Sequence, residues 1–123
     1  MIPKFRAWIK EEKCFADYIE TIRYYAKEVD LCWGGICESD CFDFEGVIFT
    51  QSTGLKDKNG KEIFEGDIVR FFDSLYTVFY DIKEGSYRLK PHDDRWVVDY
   101  MSNFSSEESF EIVGNIYENK EQL

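Results

Sequence analysis

Four cysteines and one histidine are the residues of this sequence best suited to metal or redox chemistry. Cys32, Cys37 and Cys41 are separated by four and three residues, while Cys14 and His92 lie farther along the chain in either direction. A zinc site needs four ligands, which usually arrive as close pairs, and neither gap is the two-residue spacing of a typical zinc-binding pair. Reduced thiols that pack as small apolar side chains are therefore the favoured interpretation, with zinc binding as the alternative.

His92 and the adjacent acidic residues are the remaining candidates for acid–base chemistry. His92 lies beside two aspartates in a segment that Pro91 predicts to be a turn, so we interpret it as a solvated turn residue rather than a general base. A catalytic triad would have to combine it with a distant nucleophile, and the chain carries no nucleophile elbow, phosphate loop or dinucleotide fingerprint. Three adjacent acidic pairs are typical of a solvated face; they are Glu11–Glu12, Asp93–Asp94 and Glu107–Glu108. The sequence thus predicts no catalytic, cofactor-binding or metal-binding residue.

Charge excludes several kinds of partner. The 123 residues carry a formal net charge of −10, and residues 63–123 alone hold 13 acidic and 6 basic side chains, or −7. Binding to a phosphate backbone needs clustered lysine and arginine, and an anionic membrane surface needs the same. Lys56, Lys58 and Lys61 form the only compact basic cluster, so nucleic acid and membranes are not expected partners.

Aromatic residues are the least ordinary feature of the composition. Three Trp, eight Tyr and eleven Phe make up 18% of the chain, more than one small core requires. Neighbouring pairs such as Tyr24-Tyr25 and Phe71-Phe72 place aromatic rings on both faces of their elements, so some rings must be exposed or covered by a partner. Exposed aromatic side chains are common anchors in protein interfaces. We therefore expect a homo-oligomer or an unidentified partner protein.

The elements that must position these residues are predicted to differ between the two ends of the chain. Residues 4–9 form a short strand, and apolar residues at steps of three and four predict a helix over about 17–30. The alternative for part of this stretch is that residues 14–19 return as the second arm of a hairpin with residues 4–9. Residues 36–45 are acidic and irregular, which favours a loop.

After this loop the pattern becomes strand and turn at short spacing. Residues 46–51 form a buried strand, and residues 57–60, ending in Asn-Gly, are the strongest turn signal. Further strands are predicted at 68–72, 76–80, 87–90, 96–100 and 110–117, with a polar loop over 102–109. Strands at this spacing indicate a small, strongly bent barrel. Gly54 and Gly60 fit positions that need positive φ, Gly66-Asp67 predicts a bend with a side-chain acceptor, and Gly114 predicts a bulge.

Three blocks of the sequence resemble the YopX family of bacteriophage and prophage proteins. They are KFRAW at 4–8, TGLKDKNGKEIFEGDIV at 53–69 and FEIVGNIYEN at 110–119. The resemblance implies an α+β, mostly β fold: a smaller N-terminal α+β part with one helix, residues 1–45, and a C-terminal SH3-like β-barrel domain, residues 46–123. It implies no activity and carries over no role for residues 14–45, where this chain departs from the family pattern.

Composition and resemblance together predict a non-enzymatic phage or prophage protein without a cofactor, acting through protein–protein contacts. No apolar run approaches the roughly 20 residues needed to span a bilayer, and the N-terminus lacks an export signal, so we expect it in the cytoplasm of a bacterial host. Two alternatives remain. An acidic mimic of DNA would inhibit a host nucleic-acid-binding protein, and an SH3-like module would bind nucleic acid by aromatic stacking.

Overall fold

The chain is built mostly from antiparallel β-strands. The computed structural model describes residues 4–35, 38–93, 99–100 and 110–118, with the backbone only at 99–100. The first six strands are β1 Phe5–Ile9, β2 Cys14–Phe15, β3 Tyr18–Arg23, β4 Glu28–Cys32, β5 Ser39–Asp43 and β6 Val47–Lys56. The next six are β7 Glu62–Phe64, β8 Asp67–Phe71, β9 Ser74–Asp81, β10 Ser86–Pro91, β11 Asp99–Tyr100 and β12 Phe110–Asn115. One turn of 3₁₀ helix, Phe44–Gly46, is the sole helical element in the described part.

Contacts divide the chain into two compact units, Met1–Gln51 and Ser52–Leu123; the sequence-based division falls after residue 45. In the first unit, β1 pairs with β2 on one side and with the first half of β6 on the other. Strands β3, β4 and β5 form a separate sheet in that order. The buried core consists of Ala7, Ile9, Val29, Leu31 and Val47. No described helix is long and apolar enough to cross a membrane.

The predicted helix over residues 17–30 is wrong, because the segment forms the β3–β4 hairpin. In a regular strand Ile19 and Ile22, three residues apart, would point to opposite faces. A β-bulge between Ile19 and Thr21 inserts an extra residue, so that both isoleucines pack against the core. A bulge followed by a four-residue turn thus reproduces the spacing of an amphipathic helix. The alternative hairpin with β1 is present in short form, since Cys14 pairs with Ile9.

The predicted loop over residues 36–45 is also wrong for most of its length. Residues 36 and 37 lie outside the described part, but Ser39–Asp43 forms β5, which pairs with β4 throughout. Within it only Phe42 is partly buried and the other four residues are exposed. Such an edge strand lacks the apolar alternation by which strands are detected in a sequence.

The second unit confirms most of the predicted strands. Its five-stranded sheet has the order β11-β10-β9-β8-β12, with β12 antiparallel to β8. The strands predicted at 68–72, 76–80, 87–90 and 110–117 correspond to β8, β9, β10 and β12. Of the strand predicted at 96–100, β11 covers the last two residues, while 94–98 and the predicted loop at 102–109 lie outside the described part. The core is Ile63, Val69, Tyr76, Val78, Leu89 and Phe110.

Candidate functional site

An open apolar pocket of about 190 Å³ lies in the first unit. Its lining is Phe5, Ile22, Tyr24, Phe44 and Phe49. Phe49 pairs directly with Ala7 across β1 and β6, and Phe5 lies two residues before Ala7 on the same face of β1. Because Ala7 belongs to the buried core, these two rings extend the core face until it reaches solvent.

The rest of the lining depends on the bulge and on the turn after β5. The bulge in β3 directs Ile22 toward the core, opposite Val29. Phe44 is fixed by its backbone N–H, which donates to the Lys27 carbonyl at 2.9 Å. The Phe44 ring makes edge contacts with Phe49, at 5.6 Å between centroids, and with Tyr24, at 6.2 Å. Three of the five lining residues, Tyr24, Phe44 and Phe49, are therefore joined by ring contacts.

Two tyrosines at the adjoining turn add exposed aromatic surface. Residues 24–27 connect β3 to β4, and Lys27 adopts a left-handed conformation with φ 54°. Tyr24 is 71% exposed and Tyr25 89% exposed. In the second unit Phe72, at the β8–β9 turn, is 77% exposed. The prediction that some rings of the Tyr24-Tyr25 and Phe71-Phe72 pairs are exposed is confirmed.

The lining of the pocket is apolar in the part of the chain that the structure describes. Among those residues it holds no carboxylate, histidine, cysteine, lysine or arginine, and the Tyr24 hydroxyl is the only polar side-chain group. An apolar side chain or ring placed there would be removed from water at a gain of about 25 cal/mol per Å² of apolar surface. The arrangement can therefore hold an apolar group.

The structure describes three of the four cysteines, and Cys37 lies outside the described part. Cys32 is buried, Cys14 is half-buried in β2, and Cys41 is exposed on β5. The Cys41 thiol donates to Glu28 and accepts from Arg23, each at 3.4 Å. Partial desolvation, together with Glu28, raises the pKa of Cys41. Within the described residues no three potential metal ligands lie together.

Arg23 is committed to a neighbouring carboxylate on the same sheet face. Its guanidinium donates two hydrogen bonds to Asp30, both at 2.7 Å, and this bidentate pair lowers the pKa of Asp30 and raises that of Arg23. Glu28 lies 3.9 Å from Arg23. The charge of Arg23 is therefore used in pairing neighbouring carboxylates of the same sheet.

His92 is fixed in its turn by two hydrogen bonds. Its backbone N–H donates to the Leu75 carbonyl at 3.0 Å, and its Nε2 lies 2.8 Å from the Thr77 hydroxyl. Desolvation, followed by the charge of Lys90, lowers the pKa of His92. Asp94 lies outside the described part, as does the pair Glu107–Glu108, while Glu11 and Glu12 are exposed in the β1–β2 turn. The described hydrogen bonds of His92 therefore hold the turn after β10 against β9.

The block over residues 53–69 forms the turns that its residue types predict. Asp57 is 5% exposed, and its carboxylate accepts the N–H groups of Asn59 and Lys61, both at 2.9 Å, and of Ile112, at 3.1 Å. Burial opposes ionisation, but these three donors outweigh it and lower the pKa of Asp57. Gly60, at φ 80°, completes the turn.

The bend at Gly66-Asp67 is confirmed in the same way. Asp67 is 2% exposed and accepts the Phe64 N–H at 2.8 Å. Gly66 has φ 90°, donates to the Val78 carbonyl and accepts from the Ile116 N–H. The predicted positive φ at Gly54, 82°, and the predicted bulge at Gly114 are also present.

Four of the five pocket residues were not singled out by sequence reasoning; only Tyr24 was, as one of an aromatic pair. The lining comes from five separate segments, so its assembly depends on strand pairing that the sequence pattern did not show. In the sequence, Phe44 could have been noticed because it and Phe42 place an aromatic residue on each side of Asp43.

Fold and site together define a small antiparallel β protein with buried carboxylates in its turns and an open apolar pocket. The model of the YopX protein family matches residues 4–123, and the chain belongs to this family. The chain is also similar to protein EF1440 from Enterococcus faecalis, known from a crystal structure, at 28% sequence identity and a TM-score of 0.66. That alignment covers 100% of this chain and 99% of EF1440. No curated protein matches significantly.

Proposed function

We propose that this protein is a non-enzymatic binding protein that acts through protein–protein contacts, and that the aromatic pocket of the first unit is its contact site. The observation that carries the proposal is a ring-lined pocket open to solvent, with an uncharged lining. A cavity of about 150 Å³ lined by apolar side chains is large enough for benzene, so a pocket of about 190 Å³ fits one ring or branched aliphatic side chain. The proposed occupant is such a side chain of a partner protein.

Tyr24 and Tyr25 support this proposal as the rim of the contact. Aromatic residues supply most of the binding free energy at many interfaces, where they surround or fill a desolvated pocket. Tyr24 lines the pocket and Tyr25 follows it at the exposed turn. A partner seated in the pocket would cover both rings.

The wider setting of the proposal rests on family membership and strand order. We place the protein in the cytoplasm of a bacterial host as a phage or prophage product, in keeping with the family. We also infer an SH3-like barrel for the second unit. Strands β8 to β11 form a meander and β12 pairs along the free edge of β8, which is the strand order of that fold.

Affinity purification from an induced or infected host tests the contact site. Tyr24→Ser removes an exposed ring, and Ile22→Trp fills the pocket. Both variants are expected to lose the partner that the wild-type chain retains. Phe72→Ser, which removes an equally exposed ring from the second unit, is the matched control and is expected to keep it. Thermal melts verify that all three variants fold.

Retention of the partner by both pocket variants would contradict the proposal. Light scattering on the purified chain addresses the alternative occupant, a second copy. Concentration-dependent association that Ile22→Trp abolishes would show that the pocket serves self-association.

An acidic mimic of DNA is the second candidate function, and the net charge of −10 favours it. Several carboxylates of the second unit are committed to its own structure, however: Asp57 and Asp67 to backbone donors, Asp81 and Glu111 to cations. Nucleic-acid binding by the second unit is less favoured, because Lys58 of the basic cluster is paired with Glu111 at 2.9 Å. Partner retention that falls steeply with salt and is competed by duplex DNA would support the mimic.

A further inference from the structure

The outer edge of β5 is an unpaired sheet edge in the described part of the chain. β5 ends the sheet order β3-β4-β5. The Phe44 N–H donates to the Lys27 carbonyl in the same register in which β4 and β5 pair. Because residues of an antiparallel strand alternate between bonding to one neighbour and facing away from it, Asp40 and Phe42 bond to β4. Ser39, Cys41 and Asp43 therefore direct their backbone N–H and C=O groups outward.

This edge also carries the densest run of one charge in the described chain. Residues 38–45 contain four carboxylates and no lysine, arginine or histidine. Asp40 accepts the Trp33 indole N–H at 2.9 Å. The side chains of Glu38, Asp43 and Glu45 are exposed and make no ion pair with the described residues. Lys10 reaches this segment only to donate to the Glu45 backbone carbonyl.

We infer that the outer edge of β5 binds an extended, basic segment of a partner protein as an added strand. Outward backbone groups give such a strand its hydrogen bonds, and the side-chain rows on either face give specificity. On one face the added strand meets Asp43 and Cys41. Glu28 and Asp30 on the next strand are already paired with Arg23, so it is the exposed carboxylate of Asp43 that favours lysine or arginine there. On the other face it meets the half-buried ring of Phe42, which favours an apolar residue.

Charge separates this occupant from a second copy of the chain. Two β5 strands paired with each other would place four carboxylates, Asp40 and Asp43 of each copy, in a two-stranded contact, and like charges directly opposite one another destabilise a strand pair. Acidic side chains on an edge strand therefore oppose self-pairing while leaving the edge open to a strand of opposite charge. The inference rests on the proposed function only in taking a protein as partner, and β5, Ser39–Asp43, shares no residue with the pocket lining.

A synthetic peptide tests the inference on the purified, full-length chain. The probe is acetyl-Lys-Val-Lys-Val-Lys-Val-amide, titrated by calorimetry and followed by hydrogen exchange. Binding is expected, with slowed exchange at the amides of Ser39, Cys41 and Asp43. Two N-methylated forms of the same peptide keep its charge but lose backbone donors. One form is methylated at residues one, three and five, and the other at residues two, four and six. The form methylated on the bonded side loses three donors and is expected to bind about 100-fold more weakly, since each lost hydrogen bond costs about 1 kcal/mol.

Charge is tested by a second pair of comparisons. The peptide acetyl-Glu-Val-Glu-Val-Glu-Val-amide is expected not to bind. Asp43→Lys in the chain is expected to weaken binding of the basic peptide several-fold, whereas Glu11→Lys, at an exposed turn of the same unit, is the matched control and is expected to leave it unchanged.

Three outcomes would overturn the inference: no binding of the basic peptide, equal binding of both N-methylated forms, or equal binding of the acidic peptide. Tyr24→Ser separates this result from the proposed function. If the peptide fails to bind while Tyr24→Ser still loses the host partner, only the edge-strand inference falls.

Discussion

The two units use their polar and aromatic residues in opposite ways. In the second unit the carboxylates of Asp57 and Asp67 are buried and bind backbone N–H groups, and the Phe110 ring is enclosed in the core. In the first unit the carboxylates of β5 face solvent, and rings at the end of the core leave a pocket. The buried carboxylates of the second unit thus stabilise its turns, while the exposed carboxylates of β5 and the aromatic pocket lie in the first unit.

Of the substitutions that test this comparison, Asp57→Ala is expected to lower the stability of the protein most. The substitution leaves three N–H groups without their buried acceptor, at about 3–5 kcal/mol in total, so the second unit should melt well below the wild type. Asp43→Ala, an exposed carboxylate of the first unit, is expected to change stability by less than about 0.5 kcal/mol. Chemical denaturation of both variants measures the two values. Equal effects would remove the distinction between the units.

Gly66→Ala comes next in expected effect. A Cβ at this position would lie 2.9 Å from the Tyr117 ring, on a backbone with φ 90°, so clash and backbone strain together should cost about 2–4 kcal/mol. Gly85→Ala is the matched control, since its φ is 64° and nothing lies within 4 Å of the added Cβ. It is expected to cost about 1–2 kcal/mol. A thermal melt in which Gly85→Ala is the more harmful change would contradict the close approach of Tyr117.

Glu111 provides a pH-dependent test of the second unit. Hydrogen bonds from Lys58 and then Arg70, both at 2.9 Å, lower its pKa from 4.5 to about 2. A lowered pKa in the folded state means that Glu111 stabilises the fold above its unfolded pKa and loses this contribution as pH falls toward about 2. The melting temperature of the wild type should therefore exceed that of Glu111→Gln at pH 7, with a smaller difference near pH 2. A pH-independent difference would exclude the two ion pairs as its source.

Phe72→Gly is expected to have the smallest effect and the opposite sign. Phe72 follows β8 in a two-residue turn and has φ 55°, a conformation that favours glycine. Loss of the Phe71–Phe72 ring contact, at 4.5 Å between centroids, offsets part of the stability gained by relieving the backbone strain. A gain of up to about 1 kcal/mol is expected, measured as a small rise in melting temperature. A loss of stability would mean that the ring contact outweighs the backbone strain.

Sequence reasoning succeeded where structure is decided locally. Asn-Gly after Asp57 required a tight turn, Gly66-Asp67 required a bend, and Gly114 marked a bulge, because each depends on the conformational range of a few residues. The helix over 17–30 failed because a bulge after Ile19 shifts the alternation of β3 by one residue. The spacing of apolar residues alone does not reveal an inserted residue, so the shifted alternation of β3 resembles the three- and four-residue spacing of a helix.

The candidate site was less accessible to the same reasoning. β5 has exposed residues on both faces, so it carries no apolar pattern, and its pairing with β4 appears only in the folded chain. The pocket needs Phe5, Phe44 and Phe49 from separate segments, which strand pairing brings together. The sequence predicted exposed aromatic residues but not where they converge.

The contacts made by the last described strand bear on the order in which the protein forms during synthesis. Asp57 obtains one of its three donors from Ile112, Lys58 donates to the Phe110 carbonyl, and Gly66 accepts from Ile116. When residues 1–51 have emerged from the ribosome, the strand segments described for the first unit are all present. The turn around Asp57 in the second unit obtains its last hydrogen-bond partners only after more than fifty further residues have been synthesised. The first unit can therefore complete its strand pairing before the central turn of the second unit is satisfied.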